Sequence, residues 1–158
     1  MNMNKNARPM VASTLRRTII TILLPFATMT GLAQGASCME KYKGKAVLID
    51  IWATWCGPCR YGHKVMAPMK EQMKGQNIQF VYITSPSSPL KAWQEMIKDI
   101  DGDHYYLTKE QYDYILNKYE SDGIPTYAIY NISGEQTYKN IGFPGTDVIR
   151  KEIETASK

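Results

Sequence analysis

Long uninterrupted apolar runs are missing from this chain of 158 residues, and so are acidic residues before Glu40. The first absence argues against a permanent membrane-spanning helix, which needs roughly 18–20 consecutive apolar residues. A Gly-rich phosphate loop is also missing, which leaves no sequence support for a nucleotide cofactor. No segment repeats at a 20–50-residue period, which excludes a solenoid. Only three cysteines occur, too few to staple a small disulfide-rich scaffold. The net charge of +4 carries little meaning, because four of the 19 Lys and Arg (Lys5, Arg8, Arg16 and Arg17) precede Glu40 and leave 15 against 15 acidic residues. A basic face for nucleic acid therefore has no support.

What the amino terminus does contain is a pattern. Residues 1–17 hold four positive charges, residues 18–33 none of either sign, and Gly31-Leu32-Ala33 closes the uncharged stretch. This order describes a secretory signal peptide. We expect residues 1–33 to be a cleaved signal and residues 34–158 one domain exported to the periplasm or cell envelope. Membrane anchoring would come only from an uncleaved signal or from lipidation of Cys38, and the residues before Cys38 match a lipobox poorly.

The remaining chain alternates strand-like and helix-like patterns. Residues 46–53 and 78–84 are short β-branched apolar runs. Helical spacing predicts helices from 57 to about 74, from 90 to 100, from 109 to 119 with Thr108 as N-cap, and from 144 to 157. Pro68 is expected to kink the first of these. Residues 104–107 read as a short strand, and 126–131 with 135–140 read as a hairpin around Ile132-Ser133-Gly134. The order implies an α/β fold whose sheet starts parallel and ends in an antiparallel hairpin.

Chemistry concentrates in Trp55-Cys56-Gly57-Pro58-Cys59. Two cysteines three residues apart across the first turn of a helix can close a small disulfide ring. The free N–H groups and dipole at a helix start stabilise an anion there, so Cys56 is the expected nucleophile and Cys59 the resolving thiol. A zinc site needs further ligands, and neither a second CxxC nor a paired-His motif is present. Covalent haem attachment needs His directly after the second Cys, where Arg60 stands.

The segment GKAVLIDIWATWCGPCR, with the downstream Gly123-Ile124-Pro125-Thr126, resembles the thioredoxin superfamily, and the export pattern together with the extra helical segment resembles its TlpA-like thiol-disulfide oxidoreductases. The resemblance covers about residues 44–157. It implies a thioredoxin fold: a central mixed sheet with flanking helices and an extra helical insert before the cis-proline strand. It further implies that Asp50 is the buried acid that takes the proton of Cys59, where desolvation would raise its pKa. Pro125 matches the family's cis-proline, which sets the Ile124 backbone beside Cys56 for pairing with an extended substrate. Gly142 matches a glycine near the substrate path, and a turn glycine explains it equally well. Trp55 is expected to shield the thiols and contact partners and Trp52 to lie in the core; His63, four residues after Cys59 on the same helical face, is expected to be a surface side chain, the alternative being that it tunes the cysteine pair.

The implied activity is reduction or isomerisation of disulfides in exported proteins, fed by a membrane electron donor, with no organic cofactor or metal. The alternative is a non-catalytic binding module or a metal chaperone. Two features depart from the family. Pro68 follows Cys59 by nine residues instead of about five, and no Lys stands near the end of the second strand, so Asp50 is expected to have less help than usual.

Overall fold

The structure is a computed structural model and describes residues 40–158. The expected signal segment and Cys38 lie outside the described residues. Among the described residues, no helix is long and apolar enough to cross a membrane. Five strands form one sheet in the order β3-β2-β1-β4-β5. They are β1 (Ala46–Ile51), β2 (Ile78–Thr84), β3 (Asp103–Tyr106), β4 (Thr126–Tyr130) and β5 (Gln136–Ile141). The helices are α1 (Gly57–Gln72), α2 (Leu90–Met96), α3 (Lys109–Lys118) and α4 (Thr146–Ala156). β1, β2 and β3 run parallel, whereas β4 is antiparallel to both β1 and β5.

Both faces of the sheet are covered, which is why β1 and β4 read as nearly continuous apolar runs and are buried at every residue. On one face, Leu48, Trp52, Phe80, Tyr82, Tyr127 and Ile129 pack under Met66 and Met69 of α1, its C-cap Met73, and Ile149, Ile153 and Ala156 of α4. On the other, Val47, Ile49, Ile51, Val81 and Ile83 pack against Tyr112 of α3 and Tyr119. Each such side chain contributes about 1.5–3 kcal/mol when fully buried. The outer strand β5 is polar and largely exposed, a composition that discourages pairing with other chains.

Local chemistry explains the element ends. Thr108 is the N-cap of α3 as expected, and with Gln111 it forms a capping box, each side chain bonding the other's backbone N–H. The helix expected over 90–100 is interrupted: α2 stops at Met96, and a 3-10 turn spans Ile97–Asp99. The last helix begins at Thr146 rather than 144, because Gly145 adopts φ +102° and ends the preceding loop. α1 continues as one helix through Pro68.

Candidate active site

β1 ends at Ile51, and the chain turns through Trp52–Trp55 into α1. Ser88, wholly buried in the loop before α2, ties this turn down. Its hydroxyl accepts from the Thr54 N–H at 3.0 Å and pairs with the Thr84 hydroxyl at 2.8 Å. Cys56 is the N-cap residue of α1, with extended backbone, and its sulfur accepts the Cys59 N–H at 3.2 Å. A sulfur in that position replaces the usual capping oxygen and receives the donors that stabilise a thiolate. Cys56 and Cys59 are joined by a disulfide with Cα atoms 5.3 Å apart. Cys56 keeps 4% of its surface accessible and Cys59 none, the order expected of an attacking and a resolving thiol.

The Ile124–Pro125 peptide bond is cis. It brings the Ile124 carbonyl oxygen to 3.8 Å from Cys56 Sγ. Gly142 joins the same place, because its N–H donates to the Pro125 carbonyl at 2.7 Å. Its φ of +86° requires glycine, and nothing lies within 4 Å of where a Cβ would stand, so both readings of this residue fit. Trp55 is 62% exposed beside the disulfide, while Trp52 is in the core as expected. Tyr61 is as exposed as Trp55 and sits edge-on to Phe143 at 6.0 Å, which extends the aromatic rim.

On the sheet face that α1 covers lies a buried polar cluster. Asp50 is wholly buried on β1 and is in register with Tyr82 on β2 and Tyr127 on β4, so the carboxyl sits between two tyrosines on one sheet face. Burial, with the Asp50 charge adding to it, pushes both phenols well above their ordinary range. His63 is not at the surface. It projects from α1 with only 6% of its side chain accessible, and its Nε2 is 2.9 Å from Asp50 Oδ2. Trp52 meets the imidazole edge-on at 4.7 Å and Tyr82 does so at 5.2 Å. Gly62 makes this approach possible, since a Cβ there would stand 2.8 Å from the Tyr127 hydroxyl.

A buried cation reaches this cluster from α1 rather than from β2. Lys70, two turns after His63 on α1, is buried and donates to the Tyr82 hydroxyl at 2.7 Å and to the Asp101 carbonyl. Burial pushes its ammonium down to about 8, against the opposing pull of Asp101 and Asp50. Asp50 thus has His63 as its hydrogen-bond partner and Lys70 as a nearby charge rather than a contact. The expectation of a surface His63 is corrected here, and nothing in the sequence reading singles out Lys70, because polar residues on a helix read as solvated. The signal was their spacing: Cys59, His63, Met66, Lys70 and Met73 follow one another at three or four residues, the period of a single buried face.

A family model described as Thioredoxin-like matches residues 44–136. The chain belongs to the thioredoxin-like family. The thiol-disulfide oxidoreductase ResA of Geobacillus kaustophilus is 23% identical over 131 residues, 83% of this chain and 74% of that protein. Chloroplastic thioredoxin Y of Oryza sativa subsp. japonica is 28% identical over 112 residues, 71% of this chain. The chain spans about half, 51%, of that relative's length. Among solved structures, a thioredoxin-family thiol:disulfide interchange protein of Chlorobium tepidum superposes with a TM-score of 0.68 at 22% identity, covering 76% of this chain and 85% of that one. StoA of Bacillus subtilis gives 0.58 at 18% identity, over 70% and 83%. The thioredoxin fold and the TlpA-like resemblance are borne out. The Cys56–Cys59 pair carries dithiol–disulfide exchange, the activity of a thiol-disulfide oxidoreductase.

Proposed function

We propose that this thioredoxin-like protein works outside the cytosol as a reductase or isomerase of protein disulfides. The Cys56 thiolate attacks a substrate disulfide, releases one substrate thiolate and forms a mixed disulfide. Cys59 then attacks Cys56 Sγ, the enzyme disulfide forms, and the second substrate thiolate leaves. Asp50 takes the Cys59 proton, and the departing thiolates are protonated from solvent. Trp55, Ile124, Pro125 and Gly142 bind the substrate, with an extended substrate segment pairing along the Ile124 backbone. The observation that carries this reading is the Cys56 sulfur at the α1 N-cap, facing the Ile124 carbonyl.

The Gly-Pro dipeptide between the cysteines favours the reducing direction, as in thioredoxin at about −270 mV. A reductant working outside the cytosol needs its dithiol restored, which calls for a membrane electron donor. The charge pattern of residues 1–33 supports export.

Equilibration of the full chain with a defined thiol buffer tests the direction. A potential near thioredoxin's is expected, and one near −120 mV, that of a strong oxidant, would overturn it. Cys56→Ser is expected to abolish insulin disulfide reduction and Cys59→Ser to trap covalent mixed disulfides. Full activity in both variants would refute the mechanism.

A further inference from the structure

The Asp50–His63 contact has no part in the exchange described so far, yet it occupies the centre of the buried cluster. Asp50 is completely enclosed, so a proton it accepts from Cys59 needs a way out. His63 is bonded to one carboxyl oxygen, Oδ2. The other oxygen, Asp50 Oδ1, and the other ring nitrogen, His63 Nδ1, are buried without a well-formed hydrogen bond among the described residues, and the Tyr127 hydroxyl, likewise buried without one, faces Asp50. Buried polar atoms are rarely left so. Oδ1 and Nδ1 are the outer atoms of the pair. His63 also lines a pocket of about 500 Å³ beside α1, with Arg60, Lys64, Lys70, Asp99 and Asp101 among its walls.

We propose that His63 is a positioning residue that links Asp50 to solvent through this pocket, on the route by which the Cys59 proton leaves the site. This rests on Asp50 being the proton acceptor. In the proposed route the reduced protein holds one proton on His63 Nε2, shared with Asp50 Oδ2, and a second on Nδ1. As the Cys59 sulfur attacks Cys56 Sγ, the Cys59 proton reaches Oδ1 and the carboxyl becomes neutral. The imidazolium then loses the carboxylate it was paired with and passes its Nδ1 proton toward the pocket that the His63 ring lines. One proton enters at Oδ1 and one leaves at Nδ1, with no turn of the ring. Reduction of the enzyme disulfide by an external dithiol reverses both transfers.

The groups that set this balance come from every neighbouring element. Asp50 comes from β1, and Tyr82 from β2 with His104 of β3 stacked on it at 4.9 Å. Tyr127 comes from β4. Arg60, Lys64, Lys70 and Glu71 come from α1, and Asp99 and Asp101 from the segment after α2.

The test is single-turnover reduction of insulin disulfides by the reduced full chain between pH 5 and 9, for wild type, His63→Gln, Asp50→Asn and the double variant. General acid–base groups are worth about 10²–10⁴ in rate. His63→Gln keeps an amide able to bond Asp50 but cannot carry a proton. It is expected to be slower by about tenfold or more at pH 7 with a flattened pH profile, and the double variant no slower than Asp50→Asn alone. Wild-type rate and profile in His63→Gln, with Asp50→Asn slow, would overturn the link and leave Asp50 as acceptor. Wild-type rate in Asp50→Asn would remove the acceptor and the link together. A measurement on the unmutated protein does not depend on variant folding: at fixed pH, NMR of the His63 ring is expected to show different protonation in the reduced and oxidised forms. No difference at any pH in that range would overturn the proposal.

Discussion

Gly62→Ala opposes two effects of known size. Alanine is the better helix former, by about 1 kcal/mol in a helix interior. The added Cβ, however, would stand 2.8 Å from the Tyr127 hydroxyl and 3.2 Å from Phe143 Cδ2. Contacts under 3.0 Å are not tolerated, so something has to move. Tyr127 is wholly buried and in register with Asp50, and its hydroxyl is penned between the sheet and α1. Phe143 packs on the same tyrosine at 6.1 Å between ring centroids, so it has little room to yield. Overpacking of this kind costs about 1–3 kcal/mol, so the net is a loss of roughly 0–2 kcal/mol. The more telling effect is geometric. Relief comes from lifting the first turns of α1 off the sheet, which lengthens the 2.9 Å His63–Asp50 bond. The assay is urea unfolding of the oxidised protein together with the pH profile of insulin reduction. We expect slight destabilisation with a profile shifted toward that of His63→Gln. A gain of the full 1 kcal/mol or so of helix propensity, with an unchanged profile, would refute the argument that Gly62 sets the distance between α1 and the acid.

Three further outcomes follow from the packing. Lys70 has a folded pKa near 8 because of burial, below its unfolded value of 10.5, so the unfolded chain binds more protons between those limits. Stability therefore rises with pH from about 8 to 10.5, and Lys70→Met, measured by urea midpoints across that range, is expected to lose the rise. Ser88→Ala leaves the buried Thr54 N–H and Thr84 hydroxyl without their shared partner. It is expected to cost about 1–3 kcal/mol in urea unfolding, whereas a surface-like change under about 0.5 kcal/mol would show that the loop does not anchor the cysteine turn. Asp103 is held below its usual range by Lys41 first and then by the Tyr42 hydroxyl, 2.7 and 2.5 Å away. Its contribution is present above pH 3.8 and is lost as pH falls through the lowered folded value. Asp103→Asn is expected to remove that part of the acid sensitivity in thermal melts run between pH 2 and 5.

The redox site was legible in the sequence because its chemistry is local. A CxxC pair at a helix start needs only four neighbouring residues, and strand and helix periods on either side place it. Asp50 could be picked out as the one charged residue in an apolar strand, and Thr108 as a cap, for the same reason: each signal lies within a few residues of its effect. The proposal of an export signal likewise rests on charge order along residues 1–33.

The tertiary structure decided what surrounds that site. Which of the polar residues on α1 face inward depends on where the helix meets the sheet, and Gly62 and Tyr127, 65 positions apart in the chain, set that approach. His63 therefore became a partner of Asp50 rather than a surface side chain. The β2 lysine that the sequence lacks is replaced by Lys70, whose amine reaches the cluster from the opposite layer. The three-residue row Tyr82, Asp50, Tyr127 exists only through the register of β1 with β2 and β4. Periodicity along a chain reports which residues share a face, and the register across strands decides what that face meets.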